Sequence, residues 1–283
     1  MGELISHFLC YNIKSGDNMK INKIRLFPND NKKSKEIEKV LKEELEKNNF
    51  QICEDDFELG IAIGGDGSFL RMVKQCNFNS DIYYIGVNTG TLGFLQEIKP
   101  EEIKEFVEKL KNYDFKVEEI GIQETKVETD ETTSLFYSLN EIVIREKELN
   151  TTIINIKIDD IELEKFVGDG ILVSTSVGST AYNLSYGGSI VYNTLHTLQI
   201  TPIAPLNSKV YRNLLNSVVI PENKLITLIP NKDKRNILIT IDGENNIYDN
   251  VSKIETIVSK KRINCLRLND YNFINIVNEK FLK

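Results

Sequence analysis

Polar and apolar positions follow two alternating rhythms over the first part of the chain. Lys23–Phe27 alternates as a strand does, and a polar turn follows it. Ser34 is then a suitable N-cap, and Ile37, Val40, Leu41 and Leu45 recur at helical spacing to about Asn48. Leu59–Ile63 is a short apolar run ending in glycines, the pattern of a buried parallel strand. Phe69, Leu70 and Val73 open a second helix, and Ile82–Val87 is the next strand. Pro100–Leu110 is the next helix, with Ile103, Phe106, Val107 and Leu110 on one face. Strand–helix alternation of this kind predicts a parallel sheet covered by helices on both sides.

The rhythm changes near Tyr113–Gln123, after which strand signals dominate. They cover Leu135–Leu139, Ile142–Arg145 and Thr152–Ile158, then Ile161–Phe166 after an Asp159-Asp160 turn. Further strands are expected at Leu225–Ile229, Asn236–Ile241 before an Asp242-Gly243 turn, Ile254–Val258 and Asn264–Leu268. One helix, starting near Ser179, interrupts the set. The fold class expected is an α/β N-terminal domain with a parallel sheet, plus a mostly β C-terminal domain. The boundaries expected are an extension at 1–18, an α/β domain at 19–121, a β-rich domain at 122–268 and a C-terminal segment at 269–283.

Composition narrows the chemistry. The 283 residues hold 35 Lys+Arg against 42 Asp+Glu, a formal charge of −7, which argues against coating nucleic acid or an anionic membrane. His7 and His196 are the only histidines, so acid–base chemistry falls mostly to carboxylates. Four scattered cysteines with no CxxC pair read as free thiols in a reducing compartment, so a cytoplasmic location is expected. No apolar run approaches the roughly 18 residues that span a bilayer.

Three stretches carry chemistry. Gly64-Gly65-Asp66-Gly67-Ser68 lies between a predicted strand and a predicted helix, where backbone N–H groups and the helix dipole favour phosphate. An Asp there would repel phosphate, but it suits a magnesium-linked group or a base aimed at an attacking hydroxyl. The plainer alternative is a tight turn in which Asp66 caps the helix. Gly86–Leu95, containing Asn88-Thr89-Gly90-Thr91-Leu92-Gly93-Phe94, opens a second glycine-rich loop after a strand. Two such loops at one sheet edge define a cleft. The third stretch, Gly168–Gly188, is dense in hydroxyls and small residues, suited to a polar ligand held by many short hydrogen bonds. Within it, Asp169 is suited to accept from a ribose hydroxyl or an amide.

Taken together, these stretches resemble the NAD kinase family. GGDGSFLR, NTGTLGFL and GDGILVSTSVGSTAYNLSYGG are similar to three of its motifs, Asn140-Glu141 to its Asn-Glu pair, and Thr201–Pro205 to its T-P-I-A/C-P segment. The resemblance runs from about Ile24 to Gly243. It implies transfer of the ATP γ-phosphate to the 2′-hydroxyl of the adenosine ribose of NAD, giving NADP, with a divalent cation, Mg²⁺, as cofactor. Asp66 would accept the proton, Gly67 and its turn would hold phosphates, and Arg71 would contact one. Asn140, Glu141, Asp169, Thr180, Ala181, Tyr182, Asn183, Leu184, Ser185 and Ala204 would line the NAD site, with Glu244 beside them. The resemblance also implies small nucleotides as the partners, assembly as a homodimer or homotetramer, and a last segment folded back onto the first domain.

The chain departs from the family pattern in places. Thr175-Ser176-Val177 replaces Thr-Pro-x, Val167 stands where relatives carry a basic or aromatic residue, and Glu244 stands where relatives often have Gln. A lipid kinase sharing the GGDG domain would need a route onto membranes, and no basic amphipathic helix is evident. A module that senses NAD(H) without catalysis is the other alternative, and Asp66 in its glycine turn argues against it.

Overall fold

A computed structural model describes residues 14–15, 21–90 and 93–283. Apart from Lys14 and Ser15, the expected 1–18 extension lies outside the described residues, as do Thr91 and Leu92 of the second glycine loop. The chain divides into two compact units, Met1–Ile120 with Arg262–Lys283, and Gly121–Lys261.

The first unit opens with β1 (Lys14–Ser15), β2 (Lys23–Pro28), α1 (Lys32–Lys47), β3 (Gln51–Ile52), β4 (Leu59–Gly64), α2 (Asp66–Gln75), β5 (Tyr83–Asn88) and α3 (Ile103–Lys111). Strands β3, β2, β4 and β5 lie side by side, all parallel. Every residue of β4 is buried, as a strand covered on both faces requires. Ile37, Leu41 and Leu45 of α1 and Phe106, Val107 and Leu110 of α3 form one core cluster with the sheet, while Phe69 of α2 packs on Tyr84.

Two helix starts differ from the sequence reading. Asn31, not Ser34, caps α1: its side chain accepts the Ser34 N–H at 2.9 Å, which starts the helix at Lys32 and buries Ser34. Helix α2 begins at Asp66, a turn before its first large apolar residue, because Gly65 in extended conformation serves as the cap without a side chain. A single 3₁₀ turn, Pro100–Glu102, leads into α3.

Next come β6 (Phe115–Thr129), β7 (Thr133–Ser138), β8 (Glu141–Glu146), β9 (Thr152–Ile158), β10 (Ile161–Gly168), β11 (Gly170–Thr175), α4 (Tyr182–Ser185), β12 (Thr197–Ile203), β13 (Val218–Pro221), β14 (Ile226–Pro230), β15 (Ile237–Ile241), β16 (Glu244–Tyr248) and β17 (Val251–Leu268). The division between the units falls inside β6 and β17. In the second unit, β13-β12-β11-β8-β15-β16 form one antiparallel sheet. Strands β10, β9, β14 and β17 pair antiparallel opposite it. The apolar core between these layers includes Ile142, Ile144, Ile171 and Val173 from the first and Ile154, Ile156, Leu228 and Ile254 from the second. Asp159 and Asp160 both take positive φ, 47° and 67°, and form the two-residue turn of the β9–β10 hairpin.

The two separate strands expected at Ile254–Val258 and Asn264–Leu268 are parts of one strand, β17. Its polar middle is partnered: the Ser259 hydroxyl donates to Glu124 at 2.9 Å, and the Lys261 ammonium lies 4.6 Å from the centre of the Tyr137 ring. The helix expected from Ser179 is two short pieces, a 3₁₀ turn at Val177–Thr180 and the four-residue α4, broken where Ala181 leaves helical geometry. In the first unit, β17 adds in parallel beside β5, and α5 (Phe273–Phe281) ends the chain, capped by the Asn272 side chain.

Candidate active site

In the first unit, β4 runs into the glycine turn and α2 leaves it, so Asp66 stands in the first turn of a ten-residue helix. Its carboxylate accepts two backbone N–H bonds, from Phe94 to Oδ2 and from Leu95 to Oδ1, each 3.0 Å. The Gln96 side chain donates at 2.8 Å to the Gly65 carbonyl, so the segment after the second glycine loop grips the first. Gly93 is required here, because a Cβ would lie 2.0 Å from Asp66 Oδ1. Asp66 is half-buried, while Gly65 and Gly67 on either side are exposed, which leaves turn backbone open to an anion. Arg71 sits about 140° around α2 from Asp66 at 100° per residue. Its guanidinium donates to Asn29 Oδ1 at 2.9 Å and to the Ser68 hydroxyl at 3.2 Å.

In the second unit, β8 starts at Glu141, where the Asp242 carboxylate accepts from three successive N–H groups: Leu139 and Asn140 at 2.7 Å, Glu141 at 3.2 Å. Gly178 lies so close to Asn140 that a Cβ would meet its carbonyl oxygen at 2.0 Å. Glu141 is buried, and its Oε2 has no hydrogen-bond partner among the described residues. Burial and the neighbouring Asp242 push its carboxyl up to about 8, against the Tyr182 N–H that it accepts. The folded protein therefore holds a proton on Glu141 that the unfolded chain releases near its ordinary value. Stability falls as pH rises from about 4.5 to 8. Glu141→Gln is expected to raise stability by roughly 2 kcal/mol at pH 8. The gain should fade toward pH 4.5, and denaturant melts at the two pH values check both the sign and the window.

Glu141, Val143 and Arg145 share one face of β8 by strand alternation. On this face Val143, Leu172 and Ile203 cluster, with Tyr186 packed against them. Arg145 donates to the Tyr186 hydroxyl at 3.1 Å and to the Tyr182 hydroxyl at 3.4 Å, and the two rings meet edge-on at 4.9 Å. Gly170 lies against Arg145, and Asp169 precedes it, exposed. Ala204 is exposed too, just past β12, in left-handed backbone with φ 43°. Glu141 and Arg145 are about 13 Å apart along the strand, so the face offers an elongated ligand two polar ends.

Of the other predicted contacts, Ala181 and Leu184 are half-buried, Ser185 is exposed, and Thr180 is half-buried with its hydroxyl on the Val177 carbonyl. Asn183 is fully buried and turned inward, donating to the Ser179 carbonyl and accepting from Thr201 at 2.6 Å. Glu244 opens β16 beside the Asp242-Gly243 turn, exposed. Sequence reasoning missed Arg145, Tyr186 and the clamp made by Asp242. A lone cation at the end of an apolar strand, and tyrosines spaced four apart, were the available signals for the first two. Among the described residues no group of three or more His, Cys, Asp or Glu is arranged to hold a metal.

The glycine turn that holds the Asp66 carboxylate lacks the G-x-G-x-x-G spacing of the dinucleotide-binding fingerprint, so it is not the turn of a nicotinamide-dependent redox enzyme. Residues 4–115 match the model of the ATP-NAD kinase N-terminal domain and residues 139–268 that of the ATP-NAD kinase C-terminal domain. The chain belongs to the ATP-NAD kinase family. It is 42% identical over 268 residues to the NAD kinase of Finegoldia magna, an alignment covering 92% of this chain and 97% of that one. It is 30% identical to the NAD kinase of Streptococcus gordonii over 269 residues, 92% of this chain and 95% of that one. Its fold is that of yeast NADH kinase complexed with NADH, TM-score 0.80 at 19% identity, over 96% of this chain and 93% of that one. An Archaeoglobus fulgidus NAD kinase in complex with ATP superposes with TM-score 0.70 at 21% identity, over 91% and 97%.

Proposed function

We propose that this chain transfers the γ-phosphoryl group of ATP to the 2′-hydroxyl of the adenosine ribose of NAD, giving NADP and ADP. The observation that carries the reading is the Asp66 carboxylate. Two backbone N–H groups fix it in the glycine turn, yet each oxygen keeps a lone pair for a substrate proton. As the ribose oxygen bonds to the γ-phosphorus and the bond to the β–γ bridging oxygen breaks, the hydroxyl proton passes to Asp66. Such a transfer has a loose transition state, so positioning and charge stabilisation contribute more than the base.

The exposed backbone at Gly65 and Gly67, at the N-terminus of α2, suits the phosphates, and Arg71 supports their charge from the outer part of the helix. In the second unit we assign NAD contacts to Asn140, Glu141, Asp169, Thr180, Ala181, Tyr182, Leu184, Ser185, Ala204 and Glu244. The unpartnered Glu141 Oε2 fits a hydroxyl donor. For Asn183 we assign a part in shaping the turn, because its side chain is spent inside the fold. A magnesium ion fits this donor set only as one carried largely by substrate phosphates, with Asp66 the carboxylate at hand. It would neutralise charge developing on those phosphates.

We further assign a cytoplasmic location, which Cys53, Cys76 and Cys265 as free thiols support, and assembly as a homodimer or homotetramer. Exposed Leu206, Val210, Tyr211 and Leu215 of the second unit supply apolar surface for assembly. No helix among the described residues is long and apolar enough to cross a membrane. Purified protein given ATP, NAD and Mg²⁺ is expected to form NADP, read by an NADP-specific dehydrogenase. NAD binding with no NADP formed would overturn the kinase reading in favour of a binding module.

A further inference from the structure

The backbone N–H groups that hold Asp66 belong to a segment that the end of the chain holds in turn. Phe94, whose N–H bonds Asp66 Oδ2, packs its ring against two rings of α5: Phe281 at 5.5 Å between centroids and Phe273 at 6.2 Å. The Lys280 ammonium lies 5.7 Å from the centre of the same ring. Three residues on, Glu97 accepts the Leu268 N–H at 2.6 Å and faces Arg267 at 3.4 Å. Residues 94–97 are therefore fastened on one side to Gly65 and Asp66 and on the other to residues 267–281. All these contacts lie within the first unit.

We propose that α5 is a positioning element for Asp66, with Phe273 and Phe281 as positioning residues that act through Phe94. The proposal rests on Asp66 being the proton acceptor of the kinase reading. Residues 93–97 belong to no helix or strand: Gln96 and the Glu97 N–H tie the segment to Gly65 and Gly86, but no helix or sheet ladder sets where the Phe94 and Leu95 N–H groups point. The α5 rings supply that constraint. Loss of one ring lets the segment shift, and the carboxylate follows its two donors. Because a displacement of about 1 Å at a reacting group can cost about 100-fold in rate, the consequence appears in kcat. The KM for NAD is set by other residues.

Phe281 is 43% exposed, so its removal spares the buried core. Phe281→Ala is expected to lower kcat for NADP formation by about 10-fold or more, with the KM for NAD within about twofold and Phe281→Tyr restoring the rate. Amide hydrogen exchange at Phe94 and Leu95 should accelerate in Phe281→Ala and not in Ile274→Ala, a control at an exposed position of the same helix. Wild-type kcat in Phe281→Ala overturns the proposal, as does a lowered kcat with unchanged exchange at both amides. If the wild-type protein forms no NADP, the kinase reading falls instead. Exchange alone then decides whether α5 holds the segment, with unchanged rates in Phe281→Ala overturning it.

Discussion

Asp66→Asn is expected to lower NADP formation by about 10²–10⁴-fold, the usual contribution of a positioned base. The substitution removes more than a proton acceptor. Both carboxylate oxygens accept backbone N–H groups, from Phe94 and Leu95. An Asn side chain offers one oxygen and one NH₂, so one of the two backbone donors faces another donor and loses its partner. The loss therefore combines missing base and displaced turn. Gly93→Ala separates them, because it keeps the acid and disturbs only its seat. NAD affinity should hold within a few-fold in Asp66→Asn, since the proposed NAD contacts are residues of the second unit. Initial rates and equilibrium NAD titration test this, and a rate loss below about tenfold would take the base role from Asp66.

Arg267→Met is expected to destabilise the first unit by about 3–5 kcal/mol, the range for removing one partner of a buried ion pair. Arg267 is 5% exposed, bonds Glu118 through Nε at 2.6 Å, faces Glu97 and stacks 4.2 Å over the Tyr271 ring. Burial pushes the Glu97 carboxyl up to about 7 even with that guanidinium beside it. A folded carboxyl raised above its unfolded value favours the folded state while protonated and loses that advantage as pH climbs. The Arg267→Met deficit should therefore be smaller near pH 5 than near pH 8. Urea melts at both values measure it, and equal deficits would show that Glu97 takes no part.

The parts of the fold legible in the sequence were those in which one short segment carries its own pattern. The fully apolar β4, the helical stripe of α1 and the Asp159-Asp160 turn are local signals, and the structure has them within a few residues. The middle of β17 was hidden because Ser259 and Lys261 are satisfied by Glu124 and Tyr137, more than 100 residues earlier. The site divides the same way. The glycine turn announced Asp66, but nothing near it announced that Phe94 and Leu95 would donate to it, or that Asp242 would hold the backbone of Asn140 and Glu141. In the hydroxyl-rich run, several polar groups face inward. Ser174, Thr175, Ser176 and Ser179 are buried, with hydroxyls spent on backbone carbonyls. Density of hydroxyls marks a shaped turn as readily as a ligand surface.

The contact between Gly93 and Asp66 bears on how this enzyme can be rebuilt. The two glycine-rich loops are separate words in the sequence, but a missing side chain in one makes room for the acid of the other. An exchange of either loop has to keep its half of that contact, the glycine or the acid. A chimera whose second loop carried a side chain at position 93 would push the carboxylate off its two donors, and would lose turnover without losing its fold.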